Sequence, residues 1–430
     1  MADARRWKRR VIWIAAGALG AALAGILALN LWPKVQTLQY RLAPVSAVRS
    51  EAFRREVGTL LGPPIVGGNT VSDYQNGAAI FPAMLAAIRG ARRSVNLETY
   101  IYWSGDISKE FIAALTERAR AGVKVRVLAD WAGSTRMESS AVEALRAGGV
   151  RFEYFHPLKW YSLDRINNRT HRKLLIVDGQ IAFNGGVGIA DAWDGHGDDP
   201  THWRDMQFRV EGPAAQQMQA IFEDNWLTTT GEALLGEDYY PPTQPAGDLS
   251  VQAFASSPEG GSRNMQLMYL MAIDGARESI DLEAAYFVPD ELTLDALRRA
   301  MKRGVRIRLL VPGPYVDSDV VANASQAQWG PMLAAGAQIY RWQPSLLHNK
   351  LMVVDHYLTL AGSANFDNRS FQLNDEANIN IYDADFAAHM TAVIDADLRH
   401  ARPLSYAQWQ QRPWRQRVMD WLAAQTASQL

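Results

Sequence analysis

The feature of this sequence that most constrains its fold is a motif, H-x-K-x4-D-x6-G, that occurs twice. The first copy consists of His171, Lys173, Asp178 and Gly185, and the second of His348, Lys350, Asp355 and Gly362. In each copy the His and the Lys lie two positions apart in an apolar, β-branched stretch. On a strand, this spacing places both side chains on one face. Two copies with the same internal spacing argue against coincidence and predict a shared polar target.

The segments that flank the two motifs also repeat. A strand over residues 94–102, a helix over 107–121 and a strand over 123–128 predict a parallel sheet with a right-handed crossover. Residues 91–98 match 276–283, and residues 121–128 match 303–310. We therefore expect an α/β fold of two similar halves, each an α/β/α sandwich, related by a pseudo-twofold axis. This arrangement brings two His and two Lys into one site.

The N-terminus carries a basic cluster followed by an apolar run. The basic residues are Arg5, Arg6, Lys8, Arg9 and Arg10. The run from Val11 to Leu31 spans about 32 Å as a helix, enough to cross a bilayer. A cleaved signal is the alternative, with a small-x-small site at residues 22–24, but the run continues beyond that site. The adjacent basic cluster argues against a buried core helix.

The same charges predict the orientation of the anchor. A basic N-terminal side is typical of the cytoplasm, which places the remainder of the chain on the opposite, periplasmic or outer face. Lys34, Arg41 and Arg49 on the far side weaken this asymmetry. We expect a single-pass protein of the inner (cell) membrane whose two motif-bearing halves are extracytoplasmic.

The expected domain boundaries follow from these patterns. They are a cytoplasmic basic N-terminus (1–10), a transmembrane anchor (11–32), a linker (33–67), the first repeat (68–240), a linker (241–260), the second repeat (261–405) and an amphipathic C-terminal helix (406–430). In the last segment Trp414, Val418, Trp421 and Leu422 have helical spacing. This helix is expected either to lie on a membrane surface or to pack back on the domain.

Composition excludes several function classes. The formal net charge is −1, so no overall basic field indicates a nucleic-acid partner. The chain has no cysteine, which excludes disulfides, thiolate catalysis and Cys-ligated zinc. The eight His are scattered without metal-ligand spacing, and no metal or other cofactor is expected.

The duplicated motif resembles that of the phospholipase D superfamily, and its flanks are similar to the bacterial cardiolipin synthase branch. The flanks that carry the narrower resemblance are residues 168–173, 185–191, 203–205, 362–370 and 374–376. The similarity covers roughly residues 68–402. One departure is that Gly186 and Gly188 stand where the second copy has Ser363 and Asn365; an Asn is expected in place of Gly188.

The resemblance implies a membrane-anchored phosphatidyltransferase with a phosphatidyl-histidine intermediate. The donor is phosphatidylglycerol, an anionic phospholipid, and the acceptor is a second phospholipid. One His attacks phosphorus, with His171 favoured by family tendency, and the other handles the proton of the alcohol. Lys173 and Lys350 supply positive charge to the transition state.

The resemblance also implies roles for residues around the motifs. Asp205 and Glu376 are expected to hold the far nitrogens of the histidines. Ser363, Asn365 and Arg369 are expected to contact the phosphate or the headgroup. Asp178 and Asp355 complete the motifs, but their odd spacing from the lysines turns them to the opposite strand face, which favours a structural role.

Three other functions share these features. A phospholipase D would use water instead of a lipid alcohol as acceptor. A phosphodiesterase acting on nucleic acid is disfavoured by the near-zero net charge and by the anchor. An inactive membrane scaffold is disfavoured because both motifs are complete.

Overall fold

The computed structural model describes residues 2–31, 45–159, 167–258 and 261–429. The helices in these ranges are α1 (Ala2–Leu31), α2 (Glu51–Leu60), α3 (Gly77–Gly90), α4 (Asp106–Arg120), α5 (Ser139–Ala147), α6 (Pro213–Thr230), α7 (Asn264–Gly275), α8 (Glu291–Lys302), α9 (Asp319–Ala334), α10 (Asn368–Gln372), α11 (Ala384–Leu398), α12 (Tyr406–Gln410) and α13 (Trp414–Ala424), with short 3-10 helices at Asp191–Trp193 and Ala427–Gln429. The strands are β1 (Val66–Gln75), β2 (Ser94–Thr99), β3 (Lys124–Asp130), β4 (Arg151–Phe155), β5 (Leu174–Val177), β6 (Ile181–Gly185), β7 (Met206–Glu211), β8 (Leu249–Ser256), β9 (Ser279–Ala284), β10 (Phe287–Val288), β11 (Arg306–Val311), β12 (Gln338–Trp342), β13 (Lys350–Val354), β14 (Leu358–Gly362), β15 (Phe366–Asp367), β16 (Glu376–Tyr382) and β17 (Ala401–Leu404).

Most strands of the two halves join in one mixed sheet, and β10 and β15 form a separate parallel pair. Across the described part of the chain its order is β17-β12-β11-β9-β13-β14-β16-β8-β1-β7-β6-β5-β2-β3-β4. The seam lies between β1 and β8, which pair antiparallel, with Asn69 opposite Leu249. On either side of this seam the strands follow the same order, and β17 extends one edge. The predicted α/β fold with two similar halves about a pseudo-twofold is confirmed, with the sheets joined edge to edge.

Three hydrophobic clusters fill the space between the sheet and its helices. One face carries α6 and α11, whose apolar residues pack on strands from both halves in a common core. On the other face, α3, α4 and α5 cover the first half. Helices α2, α7, α8 and α9 cover the second half on that side. Strands buried on both faces need near-continuous apolar sequence, as β5 and β13 show.

The two expected linkers are folded where the structure describes them. Residues 33–44 of the first lie outside the described residues, but α2 follows, and its Phe53 and Val57 are fully buried in the core of the second half. These two apolar residues lie one turn apart in a largely polar sequence, which gives little sign of their burial. The second linker contains β8, a central strand. The Pro- and Gly-rich segment 241–247 ends before this strand begins.

The terminal helices have apolar surfaces without protein cover. Helix α1 contains a span, Arg6–Ile26, that is long and apolar enough to cross a membrane. Helix α13 packs on α9 through Asp420 and Ala423, which are buried. Its opposite side exposes 65% of Trp414 and 62% of Trp421, together with Val418 and Leu422. The helix therefore does pack back on the domain, but only by one face.

Candidate active site

The two motif histidines lie in short segments that lead into the central strands β5 and β13. Lys350 is the first residue of β13, whereas Lys173 directly precedes β5. The prediction that His and Lys share one strand is therefore wrong for both copies, because each histidine lies before the strand. The backbone around each histidine pairs with the other half of the protein.

This pairing has the same form in both copies. The His171 amide donates to the Asp375 carbonyl at 2.8 Å, and the Asp375 amide donates to the Arg169 carbonyl at 2.9 Å. In the second copy the His348 amide donates to the Arg204 carbonyl at 2.7 Å, and the Arg204 amide donates to that of Leu346 at 2.9 Å. Each bridge is parallel. Each histidine segment is thus fixed beside the residue that precedes a carboxylate of the opposite half.

The consequence is an exchange of acid partners between the halves. His171 Nδ1 lies 2.8 Å from a carboxylate oxygen of Glu376, and His348 Nδ1 lies 2.7 Å from one of Asp205. All four side chains are buried. A carboxylate that accepts a hydrogen bond from Nδ1 leaves the lone pair of the neutral ring on Nε2. Both rings are therefore held in the tautomer that leaves Nε2 unprotonated.

Both lysines fold back on the motif to which they belong. Lys173 Nζ donates to the His171 carbonyl at 2.8 Å, and Lys350 Nζ to the His348 carbonyl at 2.7 Å. The Lys350 ammonium also lies 3.2 Å from each ring nitrogen of His348. Its charge lowers the pKa of both His171 and Lys173. The cations of the two halves therefore share one site.

Burial determines the protonation of this site. It lowers the pKa of His171 to about 4 and that of Lys173 to about 7, although Glu376 acts in the opposite direction on both. Burial also lowers the pKa of His348, and nearby Lys350 lowers it further. Because desolvation disfavours charge, the site holds less positive charge than its four basic groups would carry in water.

Different contacts lower the pKa of the two carboxylates. Burial alone would raise the pKa of Glu376, but His171, Lys173 and the Ser363 hydroxyl lower it overall. The Ser370 hydroxyl also donates to Glu376, at 2.7 Å. For Asp205, burial is likewise outweighed by His348, and the Trp193 indole donates at 2.8 Å. An indole in the first half thus replaces two hydroxyls in the second.

This replacement accounts for the two glycines of the first motif. A Cβ on Gly186 would lie 2.2 Å from an Asp205 carboxylate oxygen. A Cβ on Gly188 would lie 3.1 Å from the Trp193 ring and 2.9 Å from Ile101. The sequence analysis missed Trp193. Trp193 precedes Ser370 by as many residues as His171 precedes His348. This equal spacing in the sequence was the signal that could have identified it.

The three expected substrate contacts are placed differently from one another. The Ser363 hydroxyl donates to Glu376 and is therefore engaged within the site. Arg369 donates to the side chain of Asn167, at 2.9 Å, and to backbone carbonyls. Asn365 is buried, and its carboxamide oxygen has no hydrogen-bond partner among the described residues. Asn365 therefore has a buried polar atom left for a ligand.

Aromatic and acidic residues that the sequence analysis did not identify surround the histidines. The Tyr100 ring lies 5.2 Å from that of His171, and Trp203 lies 5.3 Å from that of His348. Asp130, at the end of β3, accepts from the Thr170 amide at 3.1 Å and so supports the His171 segment. No group of three or more potential metal ligands occurs within the described ranges.

The motif aspartates lie at the far ends of β5 and β13 from the lysines. The Asp178 carboxylate accepts from the amides of Arg92, Arg93 and Ser94 at 2.8–2.9 Å. Asp355 binds the amides of residues 277–279 in the same way, at 2.7–3.0 Å. Both carboxylates therefore connect the motif strand to the turn that starts β2 or β9.

Comparison with known proteins gives a consistent set of relatives. The family described as "Cardiolipin synthase, PLD-like domain" matches residues 84–226 and 269–398. Cardiolipin synthase of Geobacillus kaustophilus (strain HTA426) is 37% identical over 360 residues, which cover 83% of this chain and 72% of that protein. Cardiolipin synthase of Geobacillus thermodenitrificans (strain NG80-2) is 36% identical with the same coverage. The crystal structure of phosphatidylserine synthase from Haemophilus influenzae has a similar fold, with a TM-score of 0.68 at 13% identity, covering 87% of this chain and 99% of that one.

We expect Asp355→Ala to destabilise the protein without removing a reacting group. Three amides lose their charged acceptor, which should lower the free energy of unfolding by about 3 kcal/mol. Thermal unfolding in detergent measures this loss, with Asp198→Ala, at an exposed position, as the control. Turnover per folded molecule should stay within about threefold of the original. Full stability with abolished turnover would contradict this assignment.

Proposed function

The chain belongs to the cardiolipin synthase family of the phospholipase D superfamily, and from this premise we propose that it transfers a phosphatidyl group from phosphatidylglycerol to a second phospholipid. It is a phosphatidyltransferase with cardiolipin synthase-like function. The products are cardiolipin and glycerol. The observation that carries the mechanism is the pair of histidine–carboxylate contacts that cross between the halves.

The reaction follows from the tautomer of the two histidines, which leaves Nε2 unprotonated in each neutral ring. The lone pair of His171 Nε2 attacks the donor phosphorus, a P–N bond forms, and the bond from phosphorus to the glycerol oxygen breaks. The departing oxygen takes a proton from His348. His348 then accepts the proton of the acceptor hydroxyl, whose oxygen attacks phosphorus and breaks the P–N bond. Water in place of the lipid alcohol would give phosphatidic acid, the hydrolytic alternative.

The electrostatics supply the two protonation states that this division of roles requires. A pKa of about 4 keeps His171 neutral near pH 7, as a nucleophile requires. The phosphodiester is an anion, and its arrival beside His348, Lys173 and Lys350 favours their protonated forms. The two ammonium groups then stabilise the charge that develops on the equatorial oxygens. Glu376 and Asp205 hold the rings, and Asn365 offers a further contact to the phosphate.

We also propose that α1 anchors the enzyme in the membrane with its N-terminus in the cytoplasm. The basic cluster at residues 5–10 supports this orientation. The catalytic halves then lie on the periplasmic or outer face and draw lipid from that leaflet. Helix α13 adds a second contact, because its exposed tryptophans and adjacent Arg415 and Arg417 suit an anionic bilayer surface.

Replacing either His171 or His348 by alanine should abolish phosphatidyl transfer. The loss should be about a thousandfold or more, because nucleophile and acid act as one unit. Labelled phosphatidylglycerol measures it, and the exposed His389→Ala variant is the matched control. Quenching at alkaline pH and mapping the labelled peptide should place the phosphoryl group on His171. Label on His348 would reverse the roles, and substantial activity in either variant would refute the two-histidine mechanism.

The absence of cysteine allows a direct test of orientation. Leu235 is 77% exposed on the catalytic halves, so Leu235→Cys should react with a membrane-impermeant maleimide in intact cells. Ala4→Cys, at the cytoplasmic end, should react only after lysis. The opposite pattern would place the active site at the inner leaflet.

Contact of α13 with the bilayer predicts a spectral change at its outward face. Val418→Cys carrying an environment-sensitive fluorophore should emit at a shorter wavelength in nanodiscs that contain phosphatidylglycerol than in detergent-free buffer with lipid-free scaffold. The same label at Leu235 should shift much less. Equal shifts at the two positions would exclude an interfacial role for α13.

A further inference from the structure

A cleft adjoins the catalytic histidine of the second half and has no role in the mechanism above. It has a volume of about 510 Å³, including the part that is open to solvent. Its apolar wall includes Pro312, Val316, Val321, Trp329 and Leu346. Leu347, the residue directly before His348, also lines it. The cleft therefore begins one residue from a motif histidine.

The mouth of the cleft lies within the electrostatic reach of the catalytic site. Asp317 and Tyr286 both line the cleft, and the Tyr286 hydroxyl donates to the Asp317 carboxylate. The same carboxylate raises the pKa of His348 and of Lys350. Because Leu347 lines the cleft and directly precedes His348, a molecule in the cleft lies beside the His348 segment.

Arg341 gives the cleft a cation without a counter-ion. In the described part of the chain, no carboxylate forms a salt bridge with it, and its buried Nε has no hydrogen-bond partner. Its one hydrogen bond there is long, 3.4 Å to the Gly313 carbonyl. Arg402 lies directly opposite on β17, and like charges at opposed positions destabilise a sheet. Its cation–π contact with the Trp329 ring, at 6.0 Å, does not neutralise the charge. A half-buried guanidinium without a carboxylate partner among the described residues suits an anionic ligand.

The chemistry of transfer requires such a ligand. The acceptor lipid carries its own phosphodiester, a short distance from the hydroxyl that attacks the phosphatidyl-histidine. It also carries an apolar glyceride that must be accommodated beside the donor. A cation and an apolar wall in one cleft match these two parts.

We propose that this cleft binds the acceptor phospholipid, with its phosphate on Arg341 and its glyceride along the wall formed by Val321, Trp329 and Leu346. The hydroxyl of the headgroup then points to His348, which accepts its proton. This assignment rests on the proposed transferase function and names the subsite that distinguishes lipid transfer from hydrolysis. Water and small neutral alcohols have no phosphate and do not need Arg341.

The test compares two acceptors with the full-length enzyme in phosphatidylglycerol nanodiscs. Cardiolipin formation reports transfer to the phosphate-bearing lipid, and added ethanol reports transfer to a small neutral alcohol. Arg341→Gln should lower the first rate about tenfold or more, since a hydrogen bond to a charged group is lost, and should leave the second within about twofold. Arg341→Lys should recover part of the loss, because the charge remains.

The controls separate this inference from the proposed function. Arg306→Gln, on β11 and away from the cleft, should change neither rate. Unchanged ethanol transfer also shows that the Arg341 variant is folded. Equal losses with both acceptors, or no loss with either, would overturn the acceptor subsite. Absence of both products with the unaltered enzyme would instead refute the proposed function.

To separate a lipid from a free phosphate source, glycerol phosphate is added as acceptor. If glycerol phosphate accepted the phosphatidyl group as fast as the lipid does, and this rate depended on Arg341, the apolar wall would contribute nothing.

Discussion

Two hydrogen bonds between a histidine of one half and a carboxylate of the other are the interaction on which the active site depends. Each half taken alone has a histidine without its acid and an acid without its histidine. The backbone bridges at Thr170–Asp375 and Arg204–Leu347 impose this exchange. Separation of a pair would leave a buried carboxylate without its partner, at a cost of about 3–5 kcal/mol. The seam between β1 and β8 therefore supports function as well as fold.

The site also illustrates how burial and charge oppose one another. Four basic side chains share a volume from which water is largely excluded, so burial lowers the pKa of each. Glu376 and Asp205 offset only part of this cost. A phosphodiester supplies the missing negative charge, and its binding is therefore linked to proton uptake by the site.

Duplication gives the halves the same backbone plan, but the chemistry needs them to differ. The proposed mechanism requires one histidine to be neutral while the other is protonated. Trp193 and Trp203 surround His348, whereas Tyr100 lies beside His171. Two hydroxyls hold Glu376, and one indole holds Asp205. This difference is visible in the sequence as Gly186 and Gly188, because larger residues at these positions would collide with Asp205 and Trp193.

The sequence by itself determined the two-halved α/β fold, the paired motifs and the N-terminal apolar helix. These depend on local periodicity and on the repetition of spacing, which a linear pattern contains. It did not identify α2 or β8 as core elements, since their burial comes from contacts with distant strands. It named Asp205 and Glu376 only through a resemblance and did not assign each to a histidine. Only the tertiary structure decided that the partners cross between the halves, that Trp193 replaces two hydroxyls, and that Arg341 lines a cleft without a carboxylate partner among the described residues. Each of these depends on residues far apart in the chain, whose proximity is set by the pairing of the sheet and cannot be read from spacing.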